Sequence, residues 1–157
     1  MSSIAPSTGY GLAIVCIGGI GMQRVAIVVT KALSGGLAAN AAAILSGQLA
    51  ACRQGFFAPS PVVDLDGLPH ATVNQNIVLL KASGGQQILN TAKTLCQRED
   101  LVVLVFSGEG QATSNDVQAY SGAVASSTAE RLGLIAMLIA GPDQQVRQAT
   151  KKFSIFE

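Results

Sequence analysis

Polar side chains that can bind a ligand or move a proton are concentrated in two glycine-containing loops of this sequence. The first loop, TKALSGG, places Lys31 and Ser34 directly after a run of β-branched residues. The second loop, SGEGQ, places Glu109 and Gln111 directly after the apolar run LVVLVF. An ammonium group, a carboxylate and amide groups suit a small polar or peptide-like ligand, and the first two can also act as general acid or base. The two loops therefore predict either a binding crevice or a hydrolytic site.

The helix that follows the first loop adds two further candidates. In LSGGLAANAAAIL the glycine pair ends at Gly36, and Asn40 follows within an alanine-rich helix. Free N–H groups and partial positive charge at a helix N-terminus can hold a carboxylate or phosphate. The candidate ligand-binding residues are therefore Lys31, Gly36, Asn40, Glu109 and Gln111. In the alternative interpretation, the glycines only turn the chain and the asparagine satisfies a backbone carbonyl.

Other kinds of site lack their sequence patterns. Neither G-x-G-x-x-G after a strand, nor G-x-x-x-x-G-K-[ST], nor G-x-S-x-G is present. Asp64 and Asp66 in DLDG begin as a calcium loop does, but the remaining ligands are missing, so a turn is predicted. Cys16, Cys52 and Cys96 form no C-x-x-C pair and the chain has a single histidine. We therefore expect no metal and no cofactor, and we predict buried thiols.

Composition limits the partners that this protein can have. The 157 residues are 49% hydrophobic and only 12% charged, which predicts one domain with a self-association face and hence a homo-oligomer, most simply a dimer. The net charge is +1 and the basic residues are scattered, which argues against a nucleic-acid partner. The apolar stretch YGLAIVCIGGIGM follows no basic residue and is too short to span a bilayer. A cytoplasmic protein without a membrane partner is expected.

Strand and helix patterns alternate along the chain. Apolar runs predict strands at 24–30, 76–82, 101–106 and 132–140, and helical patterns predict helices at 37–52, 86–98, 115–128 and from Pro142 to Lys152. The tail FSIF can add a short strand. This order predicts an α/β sheet with helices on both faces, in which the first and third strands are parallel neighbours. Such neighbours would bring the two polar loops to one edge of the sheet, where α/β folds bind ligands.

Several stretches, in this order, resemble one known family: the GGLAANAAA helix, DLDG, NIVLLKAS, VLVFSGEGQATSND and LIAGPDQQVRQATKKFSIF. They are similar to a bacterial family, domain-of-unknown-function family 2000, within the peptidyl-tRNA hydrolase 2 superfamily. The resemblance covers residues 23–157 and leaves 1–22 as a leader, either an extra strand or poorly ordered. It implies a three-layer α/β/α fold around a mixed, roughly four-stranded sheet.

The same resemblance bears on activity. The superfamily's enzymes cleave the ester between a peptide and tRNA, and they show G-K-I-A-A-Q where this chain reads GGLAAN. This alignment places Gly36 or, one residue later, Leu37 at the enzymes' lysine, and Asn40 at their glutamine. Their D-A-G-R-T-Q corresponds to SGEGQAT, where Glu109 replaces the acid only loosely and the arginine is absent.

The sequence therefore favours a member that keeps the fold and a polar crevice, lacks the catalytic lysine and binds a small or peptide-like ligand. Two alternatives stay open. One is a hydrolase of ester or peptidyl-tRNA type that uses Glu109 or Lys31. The other is a homo-oligomeric interaction module.

Overall fold

The computed structural model describes residues 21–157 except Val73, Ser114 and Asn115, so almost all of the predicted leader lies outside the described residues. The elements are β1 Gln23–Thr30, α1 Gly35–Cys52, β2 Val62–Val63, β3 Pro69–His70, β4 Asn76–Ala82, α2 Gly85–Leu95, β5 Val102–Ser107, α3 Gly108–Ala112, α4 Val117–Ala125, α5 Ala129–Leu132, β6 Leu134–Pro142, α6 Asp143–Thr150 and β7 Ser154–Ile155. The predicted alternation of strands and helices is confirmed, including the short strand in the tail.

Five of the described strands form the main sheet, which is mixed and has the order β5-β6-β1-β4-β7, rather than the four strands predicted; β2 and β3 form a separate two-stranded sheet. β1 pairs with β4 in parallel and with β6 antiparallel, and β5 pairs antiparallel with β6. The prediction that the first and third strands are neighbours is wrong, because β6 lies between β1 and β5. β6 is buried along nearly its whole length and takes this inner position, whereas the first residues of β5 are half-exposed, as befits an edge. Since both β1 and β5 run opposite to β6, their carboxyl ends still share one edge.

Helices cover both faces of this sheet. On one face, α1 packs with Ala38, Ala41, Leu45 and Leu49 against alternate residues of β1, beginning at Val25. On the other face, α2 and α6 pack against the remaining β1 positions with apolar side chains that include Ile88, Leu89 and Val146. By length and composition alone, α1 is apolar enough to cross a membrane. Its four buried side chains recur at helical spacing, so its inward side is used to pack on the sheet.

Two local expectations are wrong. The helix predicted over 115–128 is shorter, α4 at Val117–Ala125, because Asp116 caps it by accepting the N–H of Ala119. A separate short helix, α5, follows and ends at Gly133, which has a φ of 65°. The predicted burial of the cysteines fails for Cys52 and Cys96, which are exposed near helix C-termini. The third cysteine lies outside the described residues.

An ion-pair cluster ties α6 to the central strand. Arg24 in β1 is buried, and its Nε lies 2.6 Å from Oδ1 of Asp143. Arg147, one turn further along α6, places its Nε 2.7 Å from Oδ2 of the same carboxylate. Hydrogen bonds from Arg147 and Arg24 hold the pKa of Asp143 below its usual value of 3.8. The ionised carboxylate therefore stabilises the folded state.

Replacing Asp143 by asparagine should lower the free energy of unfolding at neutral pH, because Arg24 would be left buried without its counter-ion. The pKa of the carboxylate is lower in the folded than in the unfolded chain, so its contribution is present above the unfolded value and lost as pH falls through the lowered folded value. Urea unfolding of Asp143→Asn should therefore depend less on pH below about pH 4 than the wild type. Glu99→Gln, at an exposed carboxylate, is the control and should retain the wild-type acid limb. Identical acid limbs in Asp143→Asn and the wild type would contradict this assignment.

Candidate anion-binding site

A cavity of about 350 Å³ opens at the carboxyl edge of β1 and β4. Its lining is polar except for Ala82, and it consists otherwise of Lys31, Lys81, Lys152, Ser83, Ser154 and Gln87. These residues come from four parts of the chain: the ends of β1 and β4, the first turn of α2, and the approach to β7. The cavity therefore exists only because the tertiary fold brings these parts together.

Strand pairing sets the positions of the lysines. The N–H of Lys31 donates to the carbonyl oxygen of Ala82 at 2.9 Å, which extends the parallel β1–β4 ladder past the end of β1. The antiparallel β4–β7 register places Lys81 directly opposite Ser154. Lys152 precedes β7 by two residues, and its Nζ lies 5.7 Å from the centroid of the Phe153 ring. Three lysines from three parts of the chain thus line one cavity.

The cavity is electropositive. The described residues that line it include no carboxylate. Within the described part of the chain, none of the ion pairs involves Lys31, Lys81 or Lys152. Like charges around one cavity repel each other, and a bound anion would add attractive interactions with each of them. The arrangement therefore favours a negatively charged ligand.

At the loop between β4 and α2, one side-chain carbonyl accepts hydrogen bonds from two donors. Oε1 of Gln87 accepts the backbone N–H of Ser83 at 2.8 Å and its hydroxyl at 3.0 Å. Gly84, which precedes α2, provides no side-chain cap, and the first turn of α2 contains no acidic residue. Charge-assisted hydrogen bonds are stronger than neutral ones. An anionic oxygen can therefore replace the Gln87 carbonyl as the acceptor of both donors.

Comparison with known proteins assigns the chain to a family. The model of DUF2000, described as a protein of unknown function, matches residues 23–157. The chain belongs to this family. Among curated proteins no match is found.

One solved structure is similar in fold to this DUF2000 member. It is a protein of unknown function, Atu0240, from Agrobacterium tumefaciens str. C58, with a TM-score of 0.70 at 20% identity. The similarity covers 86% of this chain and 98% of that one. It supports the mixed α/β fold and carries no information about activity.

Four of the five residues that the sequence singles out have described side-chain environments, and one of these four lines the cavity. Lys31 lines it. Gly36 and Asn40 are exposed on the first turns of α1, and Glu109 is exposed on α3. The backbone of Gln111 lies in the same short helix. Gly36, Asn40 and Glu109 do not line the cavity, which joins the first loop to the β4–α2 loop.

Sequence reasoning missed Lys81, Lys152 and the β4–α2 loop. A signal was present, because the strand ends read KALSGG and KASGG, beginning at Lys31 and Lys81. The repeated lysine and glycine pair indicates two loops of similar design. Lys152 carries no such signal, since it lines the cavity only because β7 pairs beside β4.

The second predicted loop offers one unusual group, the hydroxyl of Ser107. It is buried at the end of β5, and its Oγ has no hydrogen-bond partner among the described residues. A serine nucleophile needs a base within hydrogen-bond reach, which this hydroxyl lacks. Among the described residues, no three His, Cys, Asp or Glu are grouped so that they could hold a metal ion. The described residues of this loop therefore form no recognisable catalytic set.

Proposed function

We propose that this protein binds a small anionic ligand, bearing a phosphate or carboxylate group, in the three-lysine cavity. The observation that supports this function is that Lys31, Lys81 and Lys152 line one cavity, in which the described residues place no carboxylate. The donors of Ser83, now held by Gln87, offer two hydrogen bonds to the same anionic group. Positive charge together with directed donors distinguishes a binding site from a merely basic surface.

The lining also limits the body of the ligand. Among the described lining residues Ala82 is the one with an apolar side chain, so a nucleobase or an aliphatic chain would find few apolar side chains on which to pack. The hydroxyls of Ser83 and Ser154 can bind oxygen atoms of the ligand. A volume of about 350 Å³ lies at the small end of the range for ligand pockets. We infer a compact, highly oxygenated ligand that carries more than one negative charge.

Membership of the peptidyl-tRNA hydrolase 2 superfamily belongs to this proposal. Its support is the order of the sequence motifs, above all GGLAAN, together with the mixed α/β sheet. Peptidyl-tRNA cleavage is excluded from the proposal, because Gly36 or Leu37 replaces the enzymes' lysine and Glu109 is exposed outside the cavity. A turnover assay with peptidyl-tRNA and simple esters checks this, with Glu109→Gln as the reference. Turnover by the wild type that this variant lacks would favour the hydrolase.

Isothermal titration with pyrophosphate, inorganic phosphate and citrate tests the proposed ligand class. At least one of these anions should bind and raise the melting temperature, and its affinity should fall with ionic strength. Replacing Lys31 or Lys81 by methionine should weaken that binding about tenfold or more, because a hydrogen bond to a charged group contributes roughly 1.5–3 kcal/mol. Saturation by the phosphates but not by citrate, or the reverse, identifies the anionic group.

Lys151→Met is the matched control, because this exposed lysine is adjacent to Lys152 and does not line the cavity. It should leave the affinity almost unchanged, whereas Lys152→Met should lower it. The absence of binding by all three anions at millimolar concentration would refute the proposal. Binding that Asn40→Ala abolishes and Lys81→Met leaves intact would move the site to the first loop and α1.

A further inference from the structure

A short hairpin with an apolar surface projects between α1 and β4. Its strands β2 and β3 pair only with each other, in a two-stranded sheet separate from the main one. Val62, Val63 and Leu68 are about 60% exposed, and Leu65 at the tip is fully exposed. We call residues 62–70 the arm. Branched apolar side chains concentrated on a projecting element are typical of an interaction surface.

The arm is held in shape by its own polar groups. Oδ1 of Asp64 accepts the backbone N–H groups of Asp66 and Leu68, each at 2.9 Å. Oδ2 of Asp64 lies 2.6 Å from Nε2 of His70 on the opposite strand. At the base, the Gln75 side chain donates to the carbonyl of Gly55 at 3.0 Å. The arm thus presents its apolar side chains in a preformed shape, although isolated two-stranded hairpins are marginal in water.

The molecule also carries a groove at the outer edge of the main sheet. It encloses about 560 Å³ and has an apolar lining from β4, β7 and the tail: Val78, Leu79, Leu80, Ile155 and Phe156. β7 pairs only with Leu80 and Lys81. Residues 76–78 of β4 therefore have no strand beside them on this side among the described residues. An open edge above an apolar groove can accept a strand from another chain.

The charges of the two surfaces are complementary. Arg24 and Arg147 border the groove and share one carboxylate, that of Asp143, so this border carries an excess of positive charge. The arm carries the carboxylate of Asp66 among its apolar side chains, together with that of Asp64, which also contacts His70. Apolar contacts can thus form together with favourable electrostatic ones.

We propose that the arm of one copy docks into the edge groove of a second copy, and that two copies exchange arms in a homodimer. Each chain supplies one arm and one groove, so a twofold arrangement buries both surfaces on both copies and leaves none open. Docking covers the apolar side chains at 62–68 and gives the open edge of β4 a neighbour. This contact is separate from the three-lysine cavity and does not depend on its ligand.

Sedimentation velocity of the full chain at micromolar concentration tests the arm exchange. The wild type should sediment as a dimer. Leu65→Asp alters the arm and Ile155→Asp alters the groove, and each should raise the dimer dissociation constant at least about thirtyfold, as expected for central interface residues. Both side chains are mostly exposed, so neither change should unfold the protein, which circular dichroism verifies. Val117→Asp, at an exposed position at the start of α4, is the control and should remain dimeric.

Mixing the two variants distinguishes this contact from other dimers. An intact arm of the Ile155→Asp chain can enter the intact groove of the Leu65→Asp chain, so the mixture should recover part of the association that each variant has lost. A monomeric wild type would overturn the proposal, whether the arm then closes on its own groove or serves another partner. A dimer that Leu65→Asp disrupts and Ile155→Asp leaves intact would indicate contact between two arms and would also overturn it.

Discussion

Replacing Leu49 by alanine should lower the free energy of unfolding by about 2–5 kcal/mol. Leu49 is completely buried, and it packs from α1 onto the central strands. Most of its neighbours on the inward side of the helix are small, since Ala38 and Ala41 provide only methyl groups there. Leu45 and Leu49 therefore supply most of the apolar area through which α1 holds the sheet, and little can move in to fill the cavity that the substitution leaves.

Ile44→Ala is the control for this prediction. Ile44 lies in the same helix and is 41% exposed, so its truncation should cost less than about 1 kcal/mol. Urea denaturation measures both losses of unfolding free energy. They can be compared directly if both variants have the wild-type slope of free energy against urea concentration. Equal losses at Leu49 and Ile44 would mean that α1 is not held by its inward face. The experiment thus also tests whether the apolar character of this helix serves the core.

Both neighbouring parallel strands were predictable from their apolar runs. RVAIVVT matches β1 to within one residue, because a strand covered on both faces retains apolar side chains at almost every position. NIVLLKA matches β4 from Asn76 to Ala82, although only Leu80 and Ala82 are buried there. The strand order was not predictable in the same way. The strand beside β1 on that side is β6, which is inserted between β1 and β5, and no local sequence pattern indicates this insertion.

The part of the candidate site that depends on neighbouring residues in the sequence was predictable, and the part that depends on the strand order was not. Lys31 was identified because it follows a strand and precedes a glycine pair. Its cavity partners required knowledge that β4 is the parallel neighbour of β1 and that β7 runs back beside β4. Lys81 occupies a strand position that usually carries an apolar side chain, and Lys152 stands in an ordinary basic tail. Neither residue type is informative without the sheet order.

Replacing Gly85 by alanine should lower the free energy of unfolding by about 1–3 kcal/mol. Gly85 begins α2, which packs closely against the backbone of β6 at this point and also carries a residue of the cavity lining. A Cβ atom at this position would lie 2.5 Å from the carbonyl oxygen of Leu134, at the start of β6. Alanine otherwise favours a helix over glycine by up to about 1 kcal/mol, so the sign of the effect separates the two contributions. Because the obstacle is backbone, α2 must move away from the sheet to relieve the contact.

Gly84→Ala is the matched control, one residue earlier in the same loop. Its backbone is extended, with a φ of 178°, and a Cβ there would meet no atom within 4 Å. We expect Gly84→Ala to unfold at nearly the wild-type urea concentration and Gly85→Ala at a clearly lower one. Since α2 also carries Gln87 above Ser83, its displacement should weaken anion binding in Gly85→Ala. A stabilised Gly85→Ala protein would show that helix propensity outweighs the contact with Leu134, and that α2 can shift at no cost to the fold.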